Sequence, residues 1–104
     1  MPADSVDRYT ISRSDFINQQ VLMWAKVARE KGILGVFADI INWIEEQLAT
    51  RPAEWGDPLF EFHYMGLPLY RGIKEFVSAE YGVREAEKIV FVKRYQLLPR
   101  NPLE

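Results

Sequence analysis

Lys74, Lys93, Arg94 and Tyr95, with Arg71 a little upstream, are the residues of this chain whose types suit phosphate chemistry. Cleaving an RNA strand requires a base for the 2′-hydroxyl proton, cations for the crowded phosphate and an acid for the leaving oxygen. Lys74, Lys93 and Arg94 supply positive charge, and arginine also offers two parallel N–H groups to a phosphate. Tyr95 has a ring to stack on a base and a phenol to give a proton. His63, the only histidine, titrates near neutral pH and sits beside Glu61. The same residues also fit plainer roles. Lys93 and Arg94 read as the solvated end of a strand, Tyr95 as an amphipathic edge residue, and His63 as a solvent-facing strand position.

Other chemistries are disfavoured. There are no cysteines among the 104 residues, which removes thiolate nucleophiles, disulfides and cysteine-ligated zinc. A lone histidine makes a zinc site only with several carboxylates, so no metal is expected. No GxGxxG, P-loop or GxSxG pattern occurs, so no cofactor is expected either. The net charge of −2 argues mildly against a dedicated nucleic-acid binder. That charge is unevenly spread, however. Residues 1–70 hold 6 Lys+Arg against 10 Asp+Glu, whereas residues 71–104 hold 7 against 5. The mildly basic end would suit a phosphate backbone or an acidic partner. Met1–Asp7 lacks a basic flank and an apolar run, and no stretch approaches a membrane span. A cytoplasmic protein with no membrane contact is the expectation.

The elements that would position these residues fall into two halves. A single domain over 1–104 is expected, with loosely held tails at 1–11 and 100–104. Ser12-Arg13-Ser14-Asp15 offers helix N-caps. Ile17, Val21, Trp24 and Ala28 then recur at helical spacing to about Lys31, with Phe16, Met23 and Val27 widening the face. Gly32 is a fitting stop. A second helix runs from about Leu34 to Thr50 on a seam of Phe37, Ile41, Ile44 and Leu48, and Arg51-Pro52 ends it. Trp43 is offset from that seam beside Val36. It fits core packing, and it would also suit a partner helix or a homodimer contact. After a loop at 52–58, Phe60, Phe62 and Tyr64 alternate with Glu61 and His63 as a half-buried strand. Leu69 to Tyr81, interrupted by Gly72, reads as one bent strand or two short ones. Lys88 to Tyr95 is apolar on both faces, with Val90, Val92 and Arg94 on one side, and reads as a central strand.

Helix, helix, then antiparallel strands in about 100 residues resembles the RelE/ParE toxin superfamily of bacterial toxin–antitoxin systems. The passage from Leu48 through Pro52 to Gly56-Asp57-Pro58-Leu59 is similar to that family's crossing from second helix to strand. Leu67 to Arg71, Tyr81-Gly82-Val83 and Lys88-Ile89-Val90-Phe91-Val92 are similar to its later strands. The resemblance spans about Phe16 to Leu98. It implies an α+β fold with a helical hairpin packed on a three- to four-stranded antiparallel sheet. It also implies a toxin that acts on translation by mRNA cleavage, or on a DNA-handling target, held in check by an antitoxin. Ser78 stands where the family's arginine would precede the strand tyrosine, so the nuclease positions do not match one for one. Lys74, Lys93, Arg94 and Tyr95 are the catalytic candidates, and Arg71, His63 and Trp43 the binding ones, with RNA or the ribosome meeting the sheet. The alternative is a protein-binding module that keeps the scaffold without the catalysis.

Overall fold

Ser14 starts the first helix: its hydroxyl accepts the Ile17 N–H at 3.3 Å, which satisfies one of the orphan donors of the first turn. This helix, α1, spans Asp15–Glu30. Gly32 ends it at φ +77°, a conformation that favours glycine. Helix α2 (Leu34–Thr50) returns alongside, and the expected hairpin is present. The computed structural model describes residues 8–104.

The remaining elements are β1 (Thr10–Ser12), a one-turn helix α3 (Pro52–Trp55), β2 (Asp57–Tyr64), β3 (Leu67–Lys74), β4 (Val77–Arg84) and β5 (Ile89–Leu97). The sheet order is β1-β5-β4-β3-β2, with β2 to β5 antiparallel and β1 parallel to β5. The fold is therefore α+β, with five strands among the described residues.

The helices cover one face of this sheet. Phe37, Ile40, Ile41, Ile44 and Leu48 of α2 form a buried cluster with Val77, Ala79, Tyr81 and Val83 of β4 and Val90, Val92 and Tyr95 of β5. Each such aliphatic side chain contributes about 1.5–3 kcal/mol by leaving water. Ile17 and Ala28 of α1 complete the cluster. An aromatic stack closes its β2 side. Tyr81 lies parallel to Trp55 and Tyr70, at 5.9 and 5.7 Å between centroids, and Trp55 meets Trp43 edge-on at 5.8 Å. Trp55 fits because Gly72 leaves it room: a Cβ there would lie 2.6 Å from its ring.

Several expectations need correction. The chain does not begin with helices, because β1 precedes them. Three residues carry no periodicity, and this strand exists through its pairing of Thr10 with Ile89 and Ser12 with Phe91. Arg8–Ile11 is accordingly tied down, with Tyr9 N–H donating to Ala49 O and Thr10 N–H to Lys88 O. Met1–Asp7 lies outside the described residues. The C-terminal end is docked too: Leu103 is buried and Lys31 Nζ donates to Glu104 O at 2.7 Å.

The connection after Pro52 contains α3 rather than loop alone. Phe16 and Met23 do not widen the buried face of α1 but stand 74% and 69% exposed, since α1 packs through a narrow stripe. Phe60 and Phe62 are also exposed, because β2 is an edge strand whose register with β3 breaks between Leu59 and His63. Finally, a bulge on β5 moves Arg94 off the face of Val90 and Val92. Glu80 pairs with Arg94 while Tyr81 pairs with Val92, so Lys93 is the extra residue and Tyr95 takes the inward position.

Candidate functional site

The sheet face turned away from the helices carries a row of alternating charge. Arg71 of β3 pairs across to Glu80 of β4, and Glu80 pairs across to Arg94 of β5. Directly opposed residues share a face of the sheet, so the three side chains stand side by side. Arg94 Nε lies 3.2 Å from Glu80 Oε1, and the glutamate side chain retains only 15% of its exposure. Arg71 and Lys93 have no ion-pair partner among the described residues. The row lines an open recess of about 320 Å³ together with Lys93, and Leu59, Phe62 and Leu69 supply its apolar wall.

Local sequence explains each placement. Strand alternation puts Leu69, Arg71 and Ile73 on the open face, while Tyr70 and Gly72 face Tyr81 and Trp55. The bulge turns Arg94 outward and leaves Lys93 between the recess and a second groove beside Phe16 and Gln20 of α1. Beyond Phe91, β5 has no paired strand on that side among the described residues, because β1 is only three residues long. The broken register of β2 brings Phe62 over the recess.

Three positive groups against one carboxylate make the recess suited to an anion. Two guanidinium groups flanking a glutamate can each present paired N–H groups to phosphate oxygens. Phe62 adds a partly exposed ring on which a nucleobase could stack. Glu80 is the one carboxylate of the recess lining.

Of the sequence candidates, Arg71, Lys93 and Arg94 converge on this recess. Lys74 does not: its ammonium lies 4.5 Å above the Trp43 ring on the helix side. Tyr95 does not act from the surface, since it is 2% exposed and packs in the core. Its hydroxyl makes no well-formed hydrogen bond and sits near the Arg13–Glu45 ion pair. Burial raises the Tyr95 pKa and the Arg13 charge opposes that rise. A phenol so enclosed has no surface from which to stack on a base or protonate a leaving group. His63 is exposed and pairs with Pro68, outside the recess lining. Trp43 is half-buried against Trp55, with Val36 exposed beside it. Ser78 is buried and bonds to Gln96 O.

Sequence reasoning missed Glu80 and Phe62. Glu80 had a usable signal: placing the hairpin turn at Glu75-Phe76 puts Arg71 and Glu80 opposite each other. Phe62 had none, because its alternation with Glu61 and His63 reads as a buried strand face. Among the described residues, no group of His, Asp and Glu is placed to hold a metal ion, and no helix is long and apolar enough to cross a membrane. Comparison with protein-family models and with curated proteins found no match.

Proposed function

We propose that this chain is a toxin of the RelE/ParE kind, that its open sheet face engages RNA during translation, and that a partner antitoxin neutralises it. The observation that carries this reading is the convergence of Arg71, Lys93 and Arg94, from two non-adjacent strands, on one recess walled by Phe62. Cations spaced along a groove with a ring beside them suit a single strand, whose phosphates and bases are both accessible. Glu80 is the proposed base for a 2′-hydroxyl, with Arg94 holding it in place and Arg71 and Lys93 stabilising the phosphate; as the 2′-oxygen bonds to phosphorus the P–O5′ bond breaks, and the proton taken by Glu80 passes to the departing 5′-oxygen. In support, the helical hairpin lies against the opposite face and leaves this one uncovered.

Expression in a bacterial host tests the reading. Wild type should arrest growth, and the double variant R71A/R94A should relieve the arrest while accumulating to the same level. Arrest by both proteins alike would remove the recess from the proposal.

A second reading is a non-catalytic protein-binding module. It is favoured by the position of Tyr95 and His63, the two candidate acid–base side chains other than lysine, which both lie outside the recess lining. Normal growth on wild-type expression, with the folded protein present, would favour this alternative.

A further inference from the structure

Trp43 lines a separate cavity of about 380 Å³ between α2 and the β3–β4 turn, on the helix side of the sheet. Val36, Ile40 and Phe76 form the rest of its apolar wall, and the carboxylates of Asp39 and Glu75 stand at its rim. The Lys74 ammonium occupies the face of Trp43, 4.5 Å from the ring centroid. An aromatic face attracts a cation through its quadrupole, and neighbouring carboxylates add charge attraction. Lys74 therefore demonstrates which ligand chemistry this cavity accepts.

Its hold is weak. The contact from Lys74 Nζ to Glu75 is 3.9 Å, and both side chains are partly exposed, at 33% and 63%. Exposed pairs at such distances contribute little, so an incoming cation can displace this ammonium. Asp39 has no ion-pair partner among the described residues and adds a second negative charge.

We infer that this cavity binds a lysine or arginine side chain presented by a protein partner, with Lys74 acting as a built-in occupant that the partner displaces. Two observations favour a protein over a free amine. Val36 is 53% exposed and extends the apolar wall beyond what a small amine would cover. The cavity lining sets two carboxylates, Asp39 and Glu75, against the one ammonium of Lys74, an excess that complements a basic segment. The site is distinct from the open-face recess, and its occupancy does not depend on the toxin reading.

The test is an NMR titration of the ¹⁵N-labelled chain, followed at the Trp43 indole N–H, which is identified by its absence from Trp43→Phe. A short lysine–leucine peptide is compared with the same peptide carrying glutamine for lysine, and with n-butylamine. The lysine peptide should shift the Trp43 resonance and the glutamine peptide should not. D39N/E75Q should weaken binding at least about fivefold, and Lys74→Ala should tighten it about threefold by removing the competing ammonium. Asp39 and Glu75 are exposed and Lys74 is outside the buried core, and the remaining indole resonances report whether each variant is folded. Equal shifts with the glutamine peptide would reduce the cavity to an unselective apolar groove and overturn the inference. So would loss of binding in Lys74→Ala, equal binding of n-butylamine, or no shift at millimolar peptide.

Discussion

Replacing Tyr81 with phenylalanine removes one oxygen atom and should cost more than most single substitutions in this chain. The Tyr81 hydroxyl donates to Pro52 O at 2.5 Å and accepts from Gly56 N–H at 3.0 Å. It thereby ties the connection between α2 and β2 to the middle of the sheet. Tyr81, Pro52 and Gly56 are all buried, so water cannot readily replace either bond. Phenylalanine keeps the ring stacked between Trp55 and Tyr70, and the loss is therefore polar rather than packing. Each bond contributes about 1 kcal/mol net, and an unpaired buried group costs about 1–3 kcal/mol, so Tyr81→Phe should lose about 2–4 kcal/mol. That is a large share of the roughly 5–15 kcal/mol typical of a domain. Urea unfolding followed by tryptophan fluorescence measures it, with an unchanged m-value confirming that only stability has moved. Tyr70→Phe is the control: it removes the same atom where no hydrogen bond to another described residue depends on it, and should stay within about 0.5 kcal/mol of wild type. A Tyr81→Phe loss as small as that of the control would refute the assignment of this hydroxyl as the structural tie.

Three further outcomes follow from the same geometry. Gly72→Ala should destabilise by about 1–3 kcal/mol in the same assay, because the new methyl meets the Trp55 ring. Met65→Asn should stabilise by about 0.5–1 kcal/mol: Met65 and Gly66 form a two-residue turn with φ of +57° and +76°, and Asn-Gly is the favoured pair there. Burial raises the pKa of both Tyr81 and Tyr95 above the usual tyrosine value. Above about pH 10 the folded chain therefore holds protons that the unfolded chain releases, and stability that is complete below that pH falls as pH rises. Phenolate absorbance near 295 nm should show these two tyrosines ionising only as the chain unfolds, and their ionisation while circular dichroism still reports a folded chain would contradict this.

Much of the scaffold was legible from periodicity. The seam of Phe37, Ile41, Ile44 and Leu48 is the α2 core, and the residues on either side of it match the observed Leu34–Thr50. Lys88 to Tyr95, apolar on both faces, marked an interior strand, and β5 lies between β1 and β4. What failed were features that depend on a distant partner. β1 is visible only once β5 is beside it. The exposed Phe60 and Phe62 look like core until the edge position and broken register of β2 are known. The bulge at Lys93 exchanges the faces of Arg94 and Tyr95, and no local pattern announces a one-residue insertion. The candidate site inherited these errors. Arg71, Lys93 and Arg94 were identified by type, whereas Lys74 and Tyr95 resembled them in type and sit on the other face. Glu80 became meaningful only as the residue between two arginines in register.

The most direct test of the open-face account is a cell-free bacterial translation reaction given purified protein. Wild type should stop synthesis of a reporter and leave its messenger cut or held on the ribosome, whereas R71A/R94A, folded to the same extent by circular dichroism, should leave synthesis intact. Full synthesis in the presence of wild type, or equal inhibition by the double variant, would contradict the claim that this charged row is the target-binding surface.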